Sequence, residues 1–554
     1  MRSTTLIALV IGLAACESPP GIESARRSLG GGLSPVIIHF SRQVDLPALA
    51  SKGRAGRPAL IQALRADAAR AQAGALALLK QHGVTPGAKL WLINARAAKV
   101  PSALLGKLAA LPDVERIEPD LLTQAPKSSG GQASATPWNL SAIGASSLWA
   151  AGQRGGGTVV ASLDTGVDAA HPDLSASWRS TAGWFDPYDQ HATPFDATGH
   201  GTQVMGLIVG GSSSGRPIGV APEAQWIAAK IYDDGGNASL GAIHQALQWT
   251  LDPDGDPGTD DAADVVNGSW GFSDLANQCY LEFEEDLAAL RAAQIAVVFS
   301  AGNSGPSTLS SLSPANNPSS FAAGGVDETL AVVASSSRGP DACTGGIFPE
   351  LVAPGANVHT TDRTFGGVFP DSYIDVTGTS FAASHVTGAM ALLRGAHSTA
   401  TVAQIEEALT GTAADLGASG ADNESGCGLP DLAAAETRLA ALVSTPSCTD
   451  GDGDGYFAEP DCGTALDCDD ASSSVNPGAC DIKGDGIDQD CNGADRLKGK
   501  SCPSSGGDTG GGGSDGGSTS GAEGKGKTCS DGQDNDGDGL VDCLDPDCAR
   551  AKGC

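Results

Sequence analysis

The stretch TVVASLDTG, residues 158–166, decides the fold. Val159 to Leu163 form a short uncharged run that ends on an acid, Asp164, followed by Thr165 and Gly166. A run this short and this apolar reads as a strand buried on both faces of a sheet. QWIAAKIY (225–232), ADVVNGSWG (263–271), IAVVFSAGN (295–303) and LAVVAS (330–335) read the same way. Helical stretches lie between and after them: HGTQVMGLIVG (200–210), SLGAIHQALQWTL (239–251), LEFEEDLAALRAAQ (281–294) and SFAASHVTGAMALLRGAH (380–397). Alternation of this kind predicts an α/β fold, a parallel sheet covered by helices on both sides. Such sheets place their working residues at the carboxyl ends of strands and the starts of helices.

TGTSFAASHV, residues 377–386, carries two serines just before an apolar helical run. A serine hydroxyl is a weak nucleophile that needs a base beside it and a third group to orient that base. Ser380 follows Gly378 and Thr379 and opens the helix, whereas Ser384 lies a full turn further in. His200 stands between two glycines in ATGHGTQV, where the backbone can turn and approach a ligand. Asp164 ends a strand and faces the carboxyl edge of the sheet. Asn303 ends another strand in FSAGNSG, and its amide can donate to a developing oxyanion together with the Ser380 N–H.

Taken together these motifs resemble the subtilisin-like serine proteases, the subtilases. The resemblance covers residues 138–441 and is carried by VASLDTGVDAAHPDL, DATGHGTQVMGLI, GVAPEAQWIAAKIY, VVNGSWG, FSAGNSG, LVAPG and GTSFAASHVTGAMALL. It implies a parallel-sheet catalytic domain, here bounded at 125–445, acting on protein or peptide substrates with no cofactor for catalysis. It implies a triad in which Ser380 attacks the scissile carbonyl, His200 carries the proton and Asp164 holds the imidazole. Asn303 and the Ser380 N–H bind the oxyanion. Ser269, Trp270 and Gly271 supply a strand edge for the substrate backbone. Ala301 and Gly302 form the wall of the primary specificity pocket. Phe381 and Ser384 stand where the family commonly has Met and Pro, and Gln203 and Met205 where it commonly has His and Ala.

Residues 35–124 read as a small α+β unit: strand PVIIHF (35–40), helix 59–80, strand AKLWLINA (88–95), helix VPSALLGKLAAL (100–111) and strand VERIEPD (114–120). This is similar to the inhibitory propeptides of the same family. The resemblance implies a tail in the substrate groove, cut by the enzyme itself within 121–137. Upstream, residues 17–34 are a linker, and MRSTTLIALVIGLAAC (1–16) resembles a bacterial lipoprotein signal with Cys16 as the lipidated residue. The expectation is an exported protein, lipid-anchored at a bacterial membrane or cell surface, or secreted.

The chain has 554 residues and a formal net charge of −32, which argues against a nucleic-acid partner. Residues 448–554 hold 23 acidic against 8 basic side chains, and ten of the 14 cysteines. Dense cysteine among Gly and Asp suits an oxidising compartment. DGDGDGYFAEPD (450–461) has the oxygen-ligand spacing of a Ca²⁺ loop through Asp450, Asp452, Asp454 and Asp461. DNDGDGLVDCLD (534–545) repeats it with Asp534, Asp536, Asp538 and Asp545. With no flanking helices, the region (446–502, a Gly/Ser linker 503–527, and 528–554) resembles thrombospondin type 3-like repeats and implies structural Ca²⁺ in a loop-rich, disulfide- and metal-stabilised tail. Asp467, Asp469, Asp485, Asp488 and Asp490 are further candidate ligands there. A separate acidic loop, DPDGDPGTDD (252–261), offers Asp252, Asp254 and Asp256.

The sequence thus reads as a secreted serine endopeptidase made as an autoprocessed zymogen. The alternative is a catalytically inactive or accessory subtilase-fold surface protein acting through a Ca²⁺-dependent C-terminal module. The joint presence of Asp164, His200, Asn303 and Ser380 favours the first.

Overall fold

The computed structural model describes residues 32–491, except 43, 47–48, 50–51, 127–128, 131–136, 366–371, 445–449, 459–463, 465, 478, 480–486 and 490. Cys16, Asp461, Asp485, Asp490 and the whole second acidic loop (Asp534, Asp536, Asp538, Asp545) therefore lie outside the described residues. The chain divides into two compact units, Met1–Thr445 and Pro446–Cys554.

The first unit opens with β1 (Leu33–Phe40), α1 (Arg57–Ala71), α2 (Ala73–Gln81), β2 (Lys89–Leu90), β3 (Ala95–Pro101), α3 (Ser102–Ala109) and β4 (Val114–Pro119). The strands form an antiparallel sheet in the order β2-β3-β1-β4. The second long strand lies later than AKLWLINA suggests. Only Lys89 and Leu90 of that run are extended, and the chain turns through Asn94, at φ 48°, before β3. Trp91, Leu92 and Ile93 are apolar for another reason: they are buried in the same core cluster as Leu247, Phe283 and Leu287 of the later part of the unit.

The chain continues through β5 (Leu122–Gln124), β6 (Ser129–Gly130), α4 (Trp138–Ala142) and α5 (Ala145–Ala150). Then come β7 (Val159–Asp164), β8 (Trp184–Phe185), α6 (His200–Val209), β9 (Gln225–Lys230), β10 (Asn237–Ser239), α7 (Leu240–Leu251), β11 (Val265–Gly268) and α8 (Glu284–Ala292). The unit ends with β12 (Ala296–Ser300), β13 (Phe321–Val326), β14 (Leu351–Pro354), β15 (Val358–Thr361), β16 (Tyr373–Thr377), α9 (Thr379–Ala396), α10 (Val402–Gly411) and α11 (Leu432–Ser444).

Seven strands form one sheet, β14-β13-β12-β11-β7-β9-β8, with every pairing parallel. The expected strand LAVVAS is not one. The sheet strand is FAAGGV (321–326), and Leu330 to Val333 form its return turn, bridged only at Val332 to Val326. One face of the sheet packs under α6 and α9, the other under α7 and α8, and α1 of the N-terminal part joins the hydrophobic cluster on that second side. Strand order reverses between β7 and β11, so the crevice for a ligand opens where Asp164 and Ser269 stand. Cys279 and Cys343 form a disulfide, and Cys427 is a half-buried free thiol. Among the described residues of the second unit, Cys468 and Cys491 are bonded. No described helix is long and apolar enough to cross a membrane.

Candidate active site

Asp164 is the last residue of β7 and His200 the first of α6. A Cβ at Gly201 would stand 2.1 Å from the Gly166 carbonyl oxygen, so a residue without one lets α6 come down onto the end of β7. His200 Nδ1 then lies 2.8 Å from Asp164 Oδ1 and 3.0 Å from Oδ2. Burial opposes charging of the imidazole, but the Asp164 carboxylate outweighs it, so the His200 pKa is raised from its ordinary value. The carboxylate keeps the proton on Nδ1 and leaves Nε2 as the basic nitrogen.

Asp196 is a residue that the sequence reading passed over. It is fully buried and accepts from the N–H groups of Thr198, Gly199 and Thr202 and from the hydroxyls of Thr165 and Thr202. It thereby staples the turn before His200 to the residue after Asp164. The only sequence signal was an acid opening the DATGHGT motif.

Ser380 is the second residue of α9. Gly378 before it has φ 154° and ψ 160°, a conformation open essentially only to glycine. The Ser380 hydroxyl donates to the Ser269 carbonyl at 3.3 Å, and among the described residues it makes no hydrogen bond to His200. Such contacts commonly tighten only when substrate is bound. Ser384 is fully buried and donates to the Ser380 carbonyl at 3.0 Å, which points it into the helix and away from the cleft. The Ser269 hydroxyl donates to that carbonyl too, at 2.8 Å, and itself accepts from Asn267 Nδ2 at 2.9 Å. This chain ties the first turn of α9 to the end of β11.

Asn303 Oδ1 accepts from the N–H and the hydroxyl of Thr379, at 3.1 and 3.2 Å, which turns Nδ2 toward the cleft. The cleft has a volume of about 310 Å³, and His200, Ser269, Trp270, Gly271, Gly302, Asn303 and Ser380 all line it. Ala301 does not. It packs into the core, and its neighbours Ser300 and Gly302 line the cleft on that side. The Phe381 ring stands 5.8 Å from the His200 ring, and Met205 is buried in the core. Gln124, Ala125 and Pro126 of the same chain lie in the cleft. β5 pairs antiparallel with β10, and Ala125 N donates to the Gly236 carbonyl at 2.8 Å. The sequence reading missed this second strand edge, because Asn-Ala-Ser in DDGGNASLG carries neither apolar run nor motif.

A family profile described as the subtilase family matches residues 155–428. A subtilisin of Bacillus pumilus is 32% identical over 290 residues, covering 52% of this chain and 94% of that protein. The chain belongs to the subtilase family. Bacillopeptidase F of Bacillus subtilis is 33% identical over 358 residues, 59% of this chain but only 24% of that protein, so the subtilase spans about a quarter of that relative. Subtilisin E of Bacillus subtilis is 29% identical over 328 residues, with 77% of its length covered. The matched segment of this subtilase is that of a serine endopeptidase. A second profile, described as a metal-binding motif, matches residues 467–495 and 524–542.

In the tail, the carboxylates of Asp450, Asp452 and Asp454 gather within 4.8 Å of one another. Asp450 accepts from the N–H groups of Gly453, Asp454 and Gly455, which lowers its pKa. Loss of water contact and the nearby Asp454 charge raise that of Asp452. An all-oxygen set of this kind fits a hard cation. Asp467 lies beside Cys468 and Cys491, whose disulfide leaves no thiolate to ligate.

The acidic loop 252–261 is arranged differently from the expected ligand set. Asp252, Asp254 and Asp261 approach one another, while Asp256 accepts from Gly258 N of its own loop. Arg65 of α1 donates to Asp252 and to the Gly255 carbonyl. Nearby, Arg57 reaches Asp260 at 3.0 Å and Arg54 reaches buried Asp264 at 2.6 Å.

Proposed function

We propose that this subtilase is an exported serine endopeptidase, made as a zymogen whose residues 35–124 are its own inhibitor. In this reading His200 Nε2 takes the Ser380 proton as Oγ attacks the scissile carbonyl, and returns it to the leaving amine. Asp164 holds the Nδ1 proton and stabilises the imidazolium. Asn303 Nδ2 and the Ser380 N–H receive the oxyanion. The substrate backbone runs between β10 and Ser269–Gly271 as an added strand. The reading is supported above all by the path of the chain itself: β5 adds to β10 and residues 124–126 lie in the cleft beside Ser380, as an extended substrate would.

The tail takes Ca²⁺ on Asp450, Asp452 and Asp454 in this proposal, as a structural ion with no part in catalysis. Its lipid anchor is Cys16.

The test is labelling with a fluorophosphonate probe. Matured protein labels, Ser380→Ala does not, and Ser384→Ala labels as the parent does. Absence of labelling in matured parent protein would move the reading to a catalytically inactive surface protein.

A further inference from the structure

We propose that His39, Glu118 and Glu282 form a site for zinc or a similar first-row divalent cation, which clamps the N-terminal unit onto the catalytic domain. His39 lies on β1 and Glu118 on β4, while Glu282 comes from the segment before α8. One ligand atom from each falls within 4.8 Å of the other two.

His39 is the decisive residue. Its side chain is 2% exposed, and neither ring nitrogen has a hydrogen-bond partner among the described residues. An unpartnered buried imidazole costs stability unless something fills its lone pair. Nε2 points at Glu118 Oε2 from 3.8 Å, too far for a hydrogen bond. Two ligands about 2.0–2.1 Å from a tetrahedral zinc stand about 3.3 Å apart, so a small inward shift brings the pair to ligand spacing.

Both carboxylates are held from behind. Glu118 Oε1 accepts from Arg116 Nε at 3.2 Å, which leaves Oε2 facing His39. Glu282 Oε1 bonds His244 Nε2 at 3.0 Å, and Oε2 accepts from Tyr280 at 3.3 Å. His244 is fixed in turn by Asp286 at 2.7 Å. Outer partners that orient each ligand are what a metal site needs. Imidazole with two carboxylates suits zinc, whereas calcium takes oxygen alone. The Glu118 side chain is 39% exposed, which gives an ion a way in and leaves a fourth position for water. Because the ligands come from both sides of the contact, the site exists only while the N-terminal unit is docked.

Metal binding here is independent of proteolysis, and the full chain carrying Ser380→Ala tests it, so that the N-terminal unit stays attached. Co²⁺ is titrated at neutral pH with millimolar Ca²⁺ present to fill oxygen sites. The expected result is one visible cobalt band, displaced by Zn²⁺, with affinity reduced at least tenfold in His39→Gln and in Glu282→Gln. The second variant guards against misfolding of the N-terminal unit, and circular dichroism checks both. Equal cobalt binding by parent and Glu282→Gln, or no band in the parent, overturns the proposal.

Discussion

Ala125 N donates to the Gly236 carbonyl at 2.8 Å, one residue beyond the paired strand β5. Downstream, Ser129 and Gly130 pair with Thr377 and Val376 of β16, which leads into α9. The chain is therefore anchored on both sides of Ser380. The bond cut in maturation is expected between Pro126 and Ser129, so the mature N-terminus is Lys127, Ser128 or Ser129. Intact-mass measurement of the matured protein decides it, and a terminus outside those three would show that the anchored path is not the one cleaved.

The N-terminal unit is held by arginines as well as by apolar contact. Arg54 meets Asp264 at 2.6 Å, and the Asp264 side chain is 2% exposed. Removing one partner of such a pair strands a buried charge and typically costs 2–5 kcal/mol. Arg54→Ala is expected to shorten the lag before peptidase activity appears in freshly folded full-length protein, by tenfold or more. Raising salt from 0.1 to 1 M is expected to shorten it less, since Arg65–Asp252 and Arg57–Asp260 are open to screening on one side. An unchanged lag in Arg54→Ala would remove these arginines from the inhibitory contact.

Asn303 uses Oδ1 to hold Thr379 and keeps Nδ2 for the cleft. Asn303→Asp retains the acceptor and loses the donor. It is expected to lower kcat on the order of 10²–10³-fold, the range known for such a donor in subtilisin, with KM little changed. A loss confined to KM would instead make Asn303 a substrate-binding residue.

Much of this was legible because the chemistry sits at element boundaries. Asp164 ends an uncharged run, His200 directly follows the glycine that caps its helix, and Ser380 comes one residue after the glycine-capped start of its own, so type and position coincide. The errors share a cause as well. Trp91 to Ile93 and Leu330 to Val333 are apolar without being sheet strands, the first because they bury against a neighbouring part of the unit, the second because they form a return turn. FAAGGV was passed over because small residues suffice where α9 lies close against β13. β10 is three residues long and gains its meaning from β5, more than a hundred residues earlier. The burial of Ala301 behind the cleft and the Arg54–Asp264 contact likewise depend on which way a side chain faces across a packed interface, and no periodicity carries that.

The pH dependence of activity follows from His200. It accepts a proton only when neutral, and although burial lowers its pKa, Asp164 raises it above the ordinary histidine value. kcat/KM is expected to fall as pH drops through that raised pKa. In Asp164→Asn the limb moves to lower pH, and kcat at its plateau falls about 10⁴-fold because the proton is no longer held on Nδ1. A pH–rate profile of parent and variant checks both. An unmoved acid limb would assign that titration to another group.

Stability should carry its own pH signature, from His385 one turn into α9. It is fully buried, donates from Nδ1 to the Phe381 carbonyl at 2.7 Å, and accepts at Nε2 from Asn139 at 2.8 Å. Its neutral form thus links α9 to α4. Burial depresses its pKa from 6.5 to about 4, only partly opposed by the Phe381 carbonyl. The unfolded chain binds the extra proton first, so this contribution is complete above pH 6.5 and is lost as pH falls from there toward about 4. The span corresponds to on the order of 3 kcal/mol. Urea unfolding of the Ser380→Ala chain at pH 7 and pH 4.5 should show the loss, and His385→Gln should be less stable at pH 7 yet less sensitive to acid. If the variant loses as much stability between the two pH values as the parent, the acid sensitivity belongs to other groups and His385 is not its source.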